Sequence, residues 1–135
     1  MAQRIAVDAM GGDEAPDVVV AGALQALQEA DEDIELLLFG PESKVQSALD
    51  THDGAAAVAN AIHVVDAPDV IGMAEAPAAA VKRKPDSSIH YGLKAQKEGR
   101  VDAFISAGNT GAIMAASIFV LGRIPGVERP SIAGY

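Results

Sequence analysis

Two glycines between two aspartates follow the first apolar run of the sequence, in the segment Asp8-Ala9-Met10-Gly11-Gly12-Asp13. Glycine lets backbone N–H groups approach an anion without an intervening side chain, and a helix that follows such a loop adds its positive end. The segment is therefore a candidate cradle for a phosphate or an oxyanion. The alternative interpretation is a tight turn between a strand and a helix, which needs no ligand.

A second glycine-flanked loop, Ser106-Ala107-Gly108-Asn109-Thr110-Gly111, precedes the last apolar helical stretch. Asn109 or Thr110 can cap that helix, which is a purely structural role. The same side chains, together with the loop amides, can also stabilise an oxyanion. Neither loop has the G-x-G-x-x-G pattern of a dinucleotide site or the Gly-Lys-Ser/Thr ending of a P-loop. If both loops follow strands of one sheet, they share an edge, and one anion site between them is the interpretation we test.

A third candidate is the basic cluster Lys82-Arg83-Lys84, which holds three of the ten basic residues of an acidic chain. One interpretation is a solvated loop that precedes a helix. The other is that Arg83 or Lys84 neutralises a phosphate, while the amides and hydroxyls of Ser87 and Ser88 donate hydrogen bonds at the start of that helix.

Composition excludes several other kinds of site. The chain has no cysteine, so disulfides, thiolate metal sites and a cysteine nucleophile are absent. The three histidines are dispersed and follow no metal spacing. Asp8 and Asp13 could share a divalent ion, but two carboxylates do not make a site. We therefore expect neither a metal nor a cofactor.

The net charge of −9 restricts the kinds of partner that the chain can bind. An acidic chain lacks the basic face that a nucleic-acid binder or a protein adhering to anionic lipid needs. The first residues show no signal-peptide pattern. The longest apolar stretch, Ala112–Leu121, is shorter than the roughly 20 residues that cross a bilayer. These features favour a cytoplasmic protein without nucleic-acid partners.

Alternating apolar runs and amphipathic stretches position the candidate loops. With 135 residues, half of them hydrophobic, the chain suits one domain with an aliphatic core. Predicted strands are Arg4–Asp8, Ile34–Phe39, Ile62–Val65 and Asp102–Ser106. Predicted helices are Pro16–Ala30, Pro41–Leu49, Ser87–Glu98 and Asn109–Leu121. This alternation indicates an α/β fold with a mainly parallel sheet, and Pro130–Tyr135 is expected to begin another strand.

The motifs in series resemble the phosphate acyltransferase family along the whole chain. The resemblance lies in residues 8–13, in Lys84-Pro85-Asp86-Ser87-Ser88, in residues 106–112 and in Gly126-Val127-Glu128-Arg129-Pro130. It implies a three-layer α/β/α fold related to those of phosphotransacetylases and isopropylmalate dehydrogenases. Chains of the family are much longer, so residues 1–135 correspond to the N-terminal part of a single domain. The dimer contacts and the membrane-associating helices expected of the family would lie outside it.

The resemblance also implies a reaction, in which a fatty acyl group moves from acyl-acyl carrier protein to inorganic phosphate and yields acyl phosphate for phospholipid synthesis. The implied partners are the acyl carrier protein, phosphate, a second copy of the full-length protein, and a membrane surface touched peripherally. Under this hypothesis phosphate is bound by Gly11, Gly12, Gly108, Lys84, Ser87 and Ser88. Asn109 and Thr110 polarise the thioester carbonyl, and Asp8 and Asp13 order the loops. Further substrate contacts are expected from Ser106 and Gly111.

Two alternatives stay open at this point. A phosphotransacetylase-like enzyme that uses coenzyme A would have similar loops, because it binds phosphate and a pantetheine thioester too. A non-catalytic Rossmann-like binding fragment is the alternative from another class. The helix Asn109–Leu121 is almost wholly apolar, and such a helix must be covered on every side, so a fragment that left it exposed would aggregate.

Overall fold

The computed structural model describes residues 1–30 and 33–133. Within these described residues there are four strands in chain order: β1 Gln3–Asp8, β2 Ile34–Gly40, β3 Ile62–Asp66 and β4 Ala103–Ile105. The same part of the chain forms five α-helices: α1 Asp17–Glu29, α2 Glu42–Asp50, α3 Pro77–Arg83, α4 Ser88–Lys97 and α5 Thr110–Val120. A short 3-10 helix covers Ala55–Val58.

The four strands form one parallel sheet in the order β3-β2-β1-β4. In the register, Asp8 at the end of β1 is level with Phe39, and Val7 is level with Ile105. Because all strands run the same way, the loops after β1 and β4 leave the same edge of the sheet. That edge is where open α/β sheets bind ligands.

Helices cover both faces of the sheet. On one face α1 and α2 bury Val20, Leu24 and Val45 against Leu36 and Leu38 of β2. On the other face α4 lies on β1 and β2, and its Ala95 joins a cluster with Ala6 and Phe39. Helix α5 packs against both α3 and α4, and the three helices share one apolar cluster. The α/β class and the three-layer α/β/α arrangement that the sequence predicts are confirmed.

The predicted strands and helices lie within one or two residues of their expected bounds. The structure differs from the prediction in two segments where the apolar periodicity is weak. Helix α3 was not predicted, so the interpretation of the basic cluster as a solvated loop is wrong for Lys82 and Arg83, which form its last turn. Seven residues are too few to show a helical period, and α3 is held by burial of Ala80 and Val81 against its neighbours. Residues 130–133 form no strand, and the rest of that predicted strand lies outside the described residues.

The last helix leaves much of its apolar surface uncovered. Only Ala112 and Ala116 of α5 are buried, whereas Met114, Ile118 and Phe119 are exposed. The residues that follow, 121–133, are exposed throughout. Among the residues described, no helix combines the length and the apolar character that crossing a membrane requires.

Candidate functional site

A buried carboxylate joins the two glycine loops. Asp8, at the end of β1, is 2% exposed, and its Oδ2 accepts a hydrogen bond of 2.7 Å from the Ser106 hydroxyl beyond β4. The amide of Gly108 donates in turn to Ser106 Oγ at 3.0 Å, and the amide of Met10 donates to Asp8 Oδ1 at 3.1 Å. One side chain therefore fixes both loops, because each of them contributes donors to the same hydrogen-bonded chain.

The glycines of these loops allow the close approach. A Cβ atom on Gly11 would lie 2.8 Å from the amide nitrogen of Gly108, 2.9 Å from Asp8 Oδ2 and 3.0 Å from Ser106 Oγ. Gly12 has φ +109°, in the region that side-chain-bearing residues rarely adopt. The backbones of the two loops can therefore lie in contact at this edge only because the residue at position 11 has no side chain.

Free backbone donors remain at the same place. The amides of Gly12, Thr110 and Gly111 donate to no acceptor among the described residues. The last two form the first turn of α5, where helical N–H groups lack an internal partner and the helix dipole is positive. The side chain of Thr110 is exposed and makes no hydrogen bond within the described part of the chain. These groups can bind an anion without breaking an existing contact.

The side chain of Asn109 connects two segments of the backbone beside the loops. Its Oδ1 caps α5 by accepting from the Ala112 amide at 3.1 Å. Its Nδ2 faces three carbonyl oxygens, those of Gly72 at 3.2 Å, Met73 at 3.4 Å and Glu75 at 2.9 Å. The carboxamide therefore ties the segment before α3 to the start of α5, and both of its ends are already occupied.

The side chain of Lys84 contacts the segment before α3, to which Asn109 is also bonded. Its Nζ donates to the carbonyl of Val70 at 2.6 Å and to a carboxylate oxygen of Glu75, and Arg83 forms a second ion pair with Glu75 at 3.5 Å. The hydrogen bond from Lys84, together with one from the Gly72 amide, lowers the pKa of Glu75 below its usual value. In this arrangement the charge of Lys84 is paired with Glu75, the residue whose carbonyl accepts a hydrogen bond from Asn109.

Ser87 and Ser88 are buried at the start of α4. The Ser87 hydroxyl accepts from the His90 amide at 3.3 Å and lies 2.9 Å from His90 Nδ1, and burial lowers the pKa of that imidazole. The amide of Ser87 donates to the Lys84 carbonyl, and the amide of Ser88 donates to the Asp69 carbonyl. The hydroxyl and amide of Ser87 and the amide of Ser88, which the sequence interpretation assigns to phosphate, are thus engaged in the local fold.

The structure therefore sorts the predicted residues into two groups. It brings together the first group directly at the sheet edge: Asp8, Gly11, Gly12, Ser106, Gly108, Asn109, Thr110 and Gly111. Asp13 follows in the first loop with an exposed side chain. Lys84, Ser87 and Ser88 form their contacts with other residues, Lys84 with Val70 and Glu75, Ser87 with His90, and Ser88 with Asp69. Glu75 was missed by sequence reasoning, because only the fold shows that one carboxylate pairs with two cations of the basic cluster.

No metal centre accompanies the loops. Within residues 1–30 and 33–133 there is no group of three or more His, Asp or Glu side chains close enough to hold a metal ion. The groups present at this edge are backbone amides, the Thr110 hydroxyl and the N-terminus of α5, and such groups suit binding of an oxyanion or of phosphate oxygens.

Comparisons with known proteins identify the family of the chain. A family model described as "Fatty acid synthesis protein" matches residues 3–135. The chain is 58% identical over 134 residues to a phosphate acyltransferase of Salinibacter ruber, covering 99% of the chain and 39% of that protein. It is 52% identical over 131 residues to one of Chlorobaculum parvum, covering 97% of the chain and 38% of that protein. The chain thus spans about two fifths of the length of these relatives, and by both comparisons it belongs to the phosphate acyltransferase family.

Proposed function

We propose that the full-length protein, with this chain as its matched region, transfers a fatty acyl group from acyl-acyl carrier protein to inorganic phosphate. The product, an acyl phosphate, would serve phospholipid synthesis. The observation that carries the proposal is the pair of glycine loops locked together by Asp8 and Ser106 at the carboxyl edge of a parallel sheet. The relatives are named phosphate acyltransferases, which supports the reaction class.

The proposed reaction needs positioning more than acid–base catalysis. Phosphate has a second pKa of roughly 6 to 7, close to that of phosphoserine, so it is largely a dianion near neutral pH and attacks without a strong base. The leaving thiolate has a reference pKa of about 8.5, so it departs without a strong acid. A site made of amides and a hydroxyl can therefore accelerate the reaction by holding both reactants and stabilising the oxyanion.

Within this proposal the free amides of Gly12, Thr110 and Gly111 bind oxygen atoms of phosphate or of the tetrahedral intermediate. The hydroxyl of Thr110 donates to the thioester oxygen. Asp8 positions both loops by its hydrogen bonds, and Asn109 positions the start of α5 by capping it. Lys84 reaches phosphate only if its ion pair with Glu75 opens, so it has the weaker claim to direct contact.

The test uses a chimera in which residues 1–135 of this chain replace the matched region of the Salinibacter ruber relative. Acyl phosphate formation is measured with palmitoyl-acyl carrier protein and phosphate, beside palmitoyl-coenzyme A as the alternative donor. We expect turnover with the carrier-protein thioester. Turnover with the coenzyme A thioester alone would replace the proposal with the phosphotransacetylase-like reaction, and no turnover with either would leave a binding function.

Thr110→Val tests the site itself, because its side chain is exposed and bonds to no other described residue. Loss of one oxyanion donor costs about 10²-fold in kcat, so we expect a fall of that order in the chimera. The free energy of unfolding should stay within about 0.5 kcal/mol of the parent, as for a surface substitution. An unchanged kcat would remove Thr110 from the proposed chemistry.

The remaining expectations belong to the same proposal and concern the full-length protein. It would act in the cytoplasm as a homodimer and associate peripherally with the membrane that receives its product. The exposed apolar residues of α5, Ile118 and Phe119, support a covering partner of some kind in the complete molecule.

A further inference from the structure

The carboxylate of Glu75 is held by three donors, which together form the Glu75 cradle. Its Oε1 accepts from the Gly72 amide at 2.8 Å and from Lys84 Nζ, and its Oε2 lies 3.5 Å from a guanidinium nitrogen of Arg83. A backbone amide, an ammonium and a guanidinium are also the groups with which proteins bind phosphate oxygens. The donors of the cradle therefore suit an external phosphate group as well as the side chain that they hold.

The Glu75 cradle carries more positive charge than its occupant balances. Lys84 and Arg83 contribute two positive charges and Glu75 one negative charge, so the three side chains have a net charge of +1 in a chain whose net charge is −9. A phosphate dianion in place of the carboxylate would balance both cations. The same donors thus favour a phosphate group once the Glu75 side chain has moved aside.

The Glu75 side chain can leave without dismantling the cradle. It is 27% exposed, and ion pairs that reach solvent contribute little net free energy. The three atoms nearest to a Cβ atom placed on Gly72 all belong to Glu75, at 3.4–4.0 Å, so this side chain is what fills the space beside Gly72. Lys84 also donates to the Val70 carbonyl at 2.6 Å, and this second bond holds the ammonium in place when the carboxylate leaves.

The cradle adjoins the start of α5. The carbonyl of Gly72 accepts from Asn109 Nδ2 at 3.2 Å, and the carbonyl of Glu75 accepts from the same nitrogen at 2.9 Å. A Cβ atom on Gly111 would lie 2.6 Å from Pro77 Cγ. The segment that carries Glu75 therefore packs directly on the first turn of α5, where the amides of the candidate site lie.

We propose that Glu75 is an internal stand-in for a phosphate group, and that the cradle of Gly72, Arg83 and Lys84 is a phosphate subsite that opens when the Glu75 side chain swings out. The inference deepens the proposed function, on which it rests for the source of the phosphate. That source is either inorganic phosphate or the phosphate of the pantetheine arm that carries the acyl group. While the subsite is empty of phosphate, the Glu75 carboxylate keeps both cations paired.

Calorimetric titration with one ligand at a time tests the proposal without turnover. Inorganic phosphate and phosphopantetheine are titrated separately into the chimera and into the 135-residue chain, which contains all three donors. Glu75→Gln removes the charge of the stand-in and keeps its shape. Glu98→Gln is the matched control, because Glu98 also pairs with two cations, Lys94 and Arg100, but its carboxylate accepts from no backbone amide of the described residues.

We expect Glu75→Gln to bind phosphate at least about fivefold more tightly than the parent, since opening an ion pair of this kind costs up to about that factor. Glu98→Gln should stay within about twofold of the parent, because it lies outside the cradle. In the Glu75→Gln background, Lys84→Met should abolish the gain and Arg83→Gln should reduce it. Because Arg83 is 67% exposed, the second variant keeps the fold even if the first does not.

The two ligands distinguish the two sources of the phosphate group. Tighter binding of inorganic phosphate by Glu75→Gln supports the proposal and assigns the subsite to the acyl acceptor. Tighter binding of phosphopantetheine alone also supports it and assigns the subsite to the arm of the acyl donor.

Three results would overturn the proposal. Unchanged or weaker binding of both ligands by Glu75→Gln would leave Glu75 as a structural ion pair. A gain that survives Lys84→Met and Arg83→Gln would place the anion outside the cradle, and an equal gain in Glu98→Gln would show a general effect of net charge. The titrations contain no acyl donor, so turnover by the chimera is a separate measurement and the two proposals fail separately.

Discussion

Replacing Asn109 tests whether the loop before α3 is held by one side chain. The carboxamide is 6% exposed; it caps α5 through Oδ1 and donates through Nδ2 to the segment 72–75. Losing the cap costs about 1 kcal/mol. Leaving the Glu75 carbonyl, which has no other partner among the described residues, without a donor costs about 1–3 kcal/mol more. We therefore expect Asn109→Ala to lower the free energy of unfolding by about 2–4 kcal/mol.

Two further substitutions separate the contributions. Asn109→Ser keeps a good cap and loses the donor, so it should cost about 1–3 kcal/mol. Asn109→Asp keeps the cap but sets a carboxylate against three carbonyl oxygens, so it should cost more than Asn109→Ser despite the favourable helix dipole. Urea unfolding at pH 7, followed by circular dichroism, measures each value. If Asn109→Asp kept the stability of the parent to within about 0.5 kcal/mol, the Nδ2 contacts would carry no energy and the reasoning would fail.

Three other predictions concern the loops and their supports. Gly11→Ala should lower the free energy of unfolding by about 1–3 kcal/mol, because the new Cβ atom would lie 2.8 Å from the amide nitrogen of Gly108. Gly22→Ala in α1 is the control and should raise the free energy of unfolding by up to about 1 kcal/mol. Equal urea midpoints for the two variants would contradict this prediction. Ser106→Ala should cost about 1–3 kcal/mol by removing a donor to a buried carboxylate, and an unchanged midpoint would show that water replaces it. The pKa of Glu75 is lowered chiefly by its hydrogen bond with Lys84, so the ionised Glu75 adds its full stability above the unfolded pKa of 4.5, and this stability is lost as the pH falls through the folded pKa. Glu75→Gln should therefore flatten this part of the curve of unfolding free energy against pH. If the curves of the parent and of Glu75→Gln ran parallel, the ion pair would have no such role.

Sequence pattern was sufficient for the fold class. Four short apolar runs alternating with amphipathic stretches predict parallel strands and crossover helices, and the structure agrees because burial on both faces of a sheet demands that composition. The same reasoning locates both glycine loops at one edge. It missed α3, whose stability comes from contacts with α5 across the fold.

The site could be predicted only in part, for a physical reason. A loop of glycines after a strand can be recognised from residue types, since no other residue permits such close approach. Which groups are free to bind a ligand depends on which are already paired. Asn109 and Lys84 look alike as candidates in the sequence, yet both are engaged by the segment 70–76, which no spacing rule connects to them.

The sequence by itself thus determined the α/β class, the two glycine loops and the family resemblance, because these follow from local residue types and their order along the chain. Only the tertiary structure decided that Asp8 and Ser106 lock the loops together and that Glu75 pairs with Lys84. These pairs join residues that are up to 98 positions apart. Their free energy depends on distance and burial, which exist only once the chain has folded.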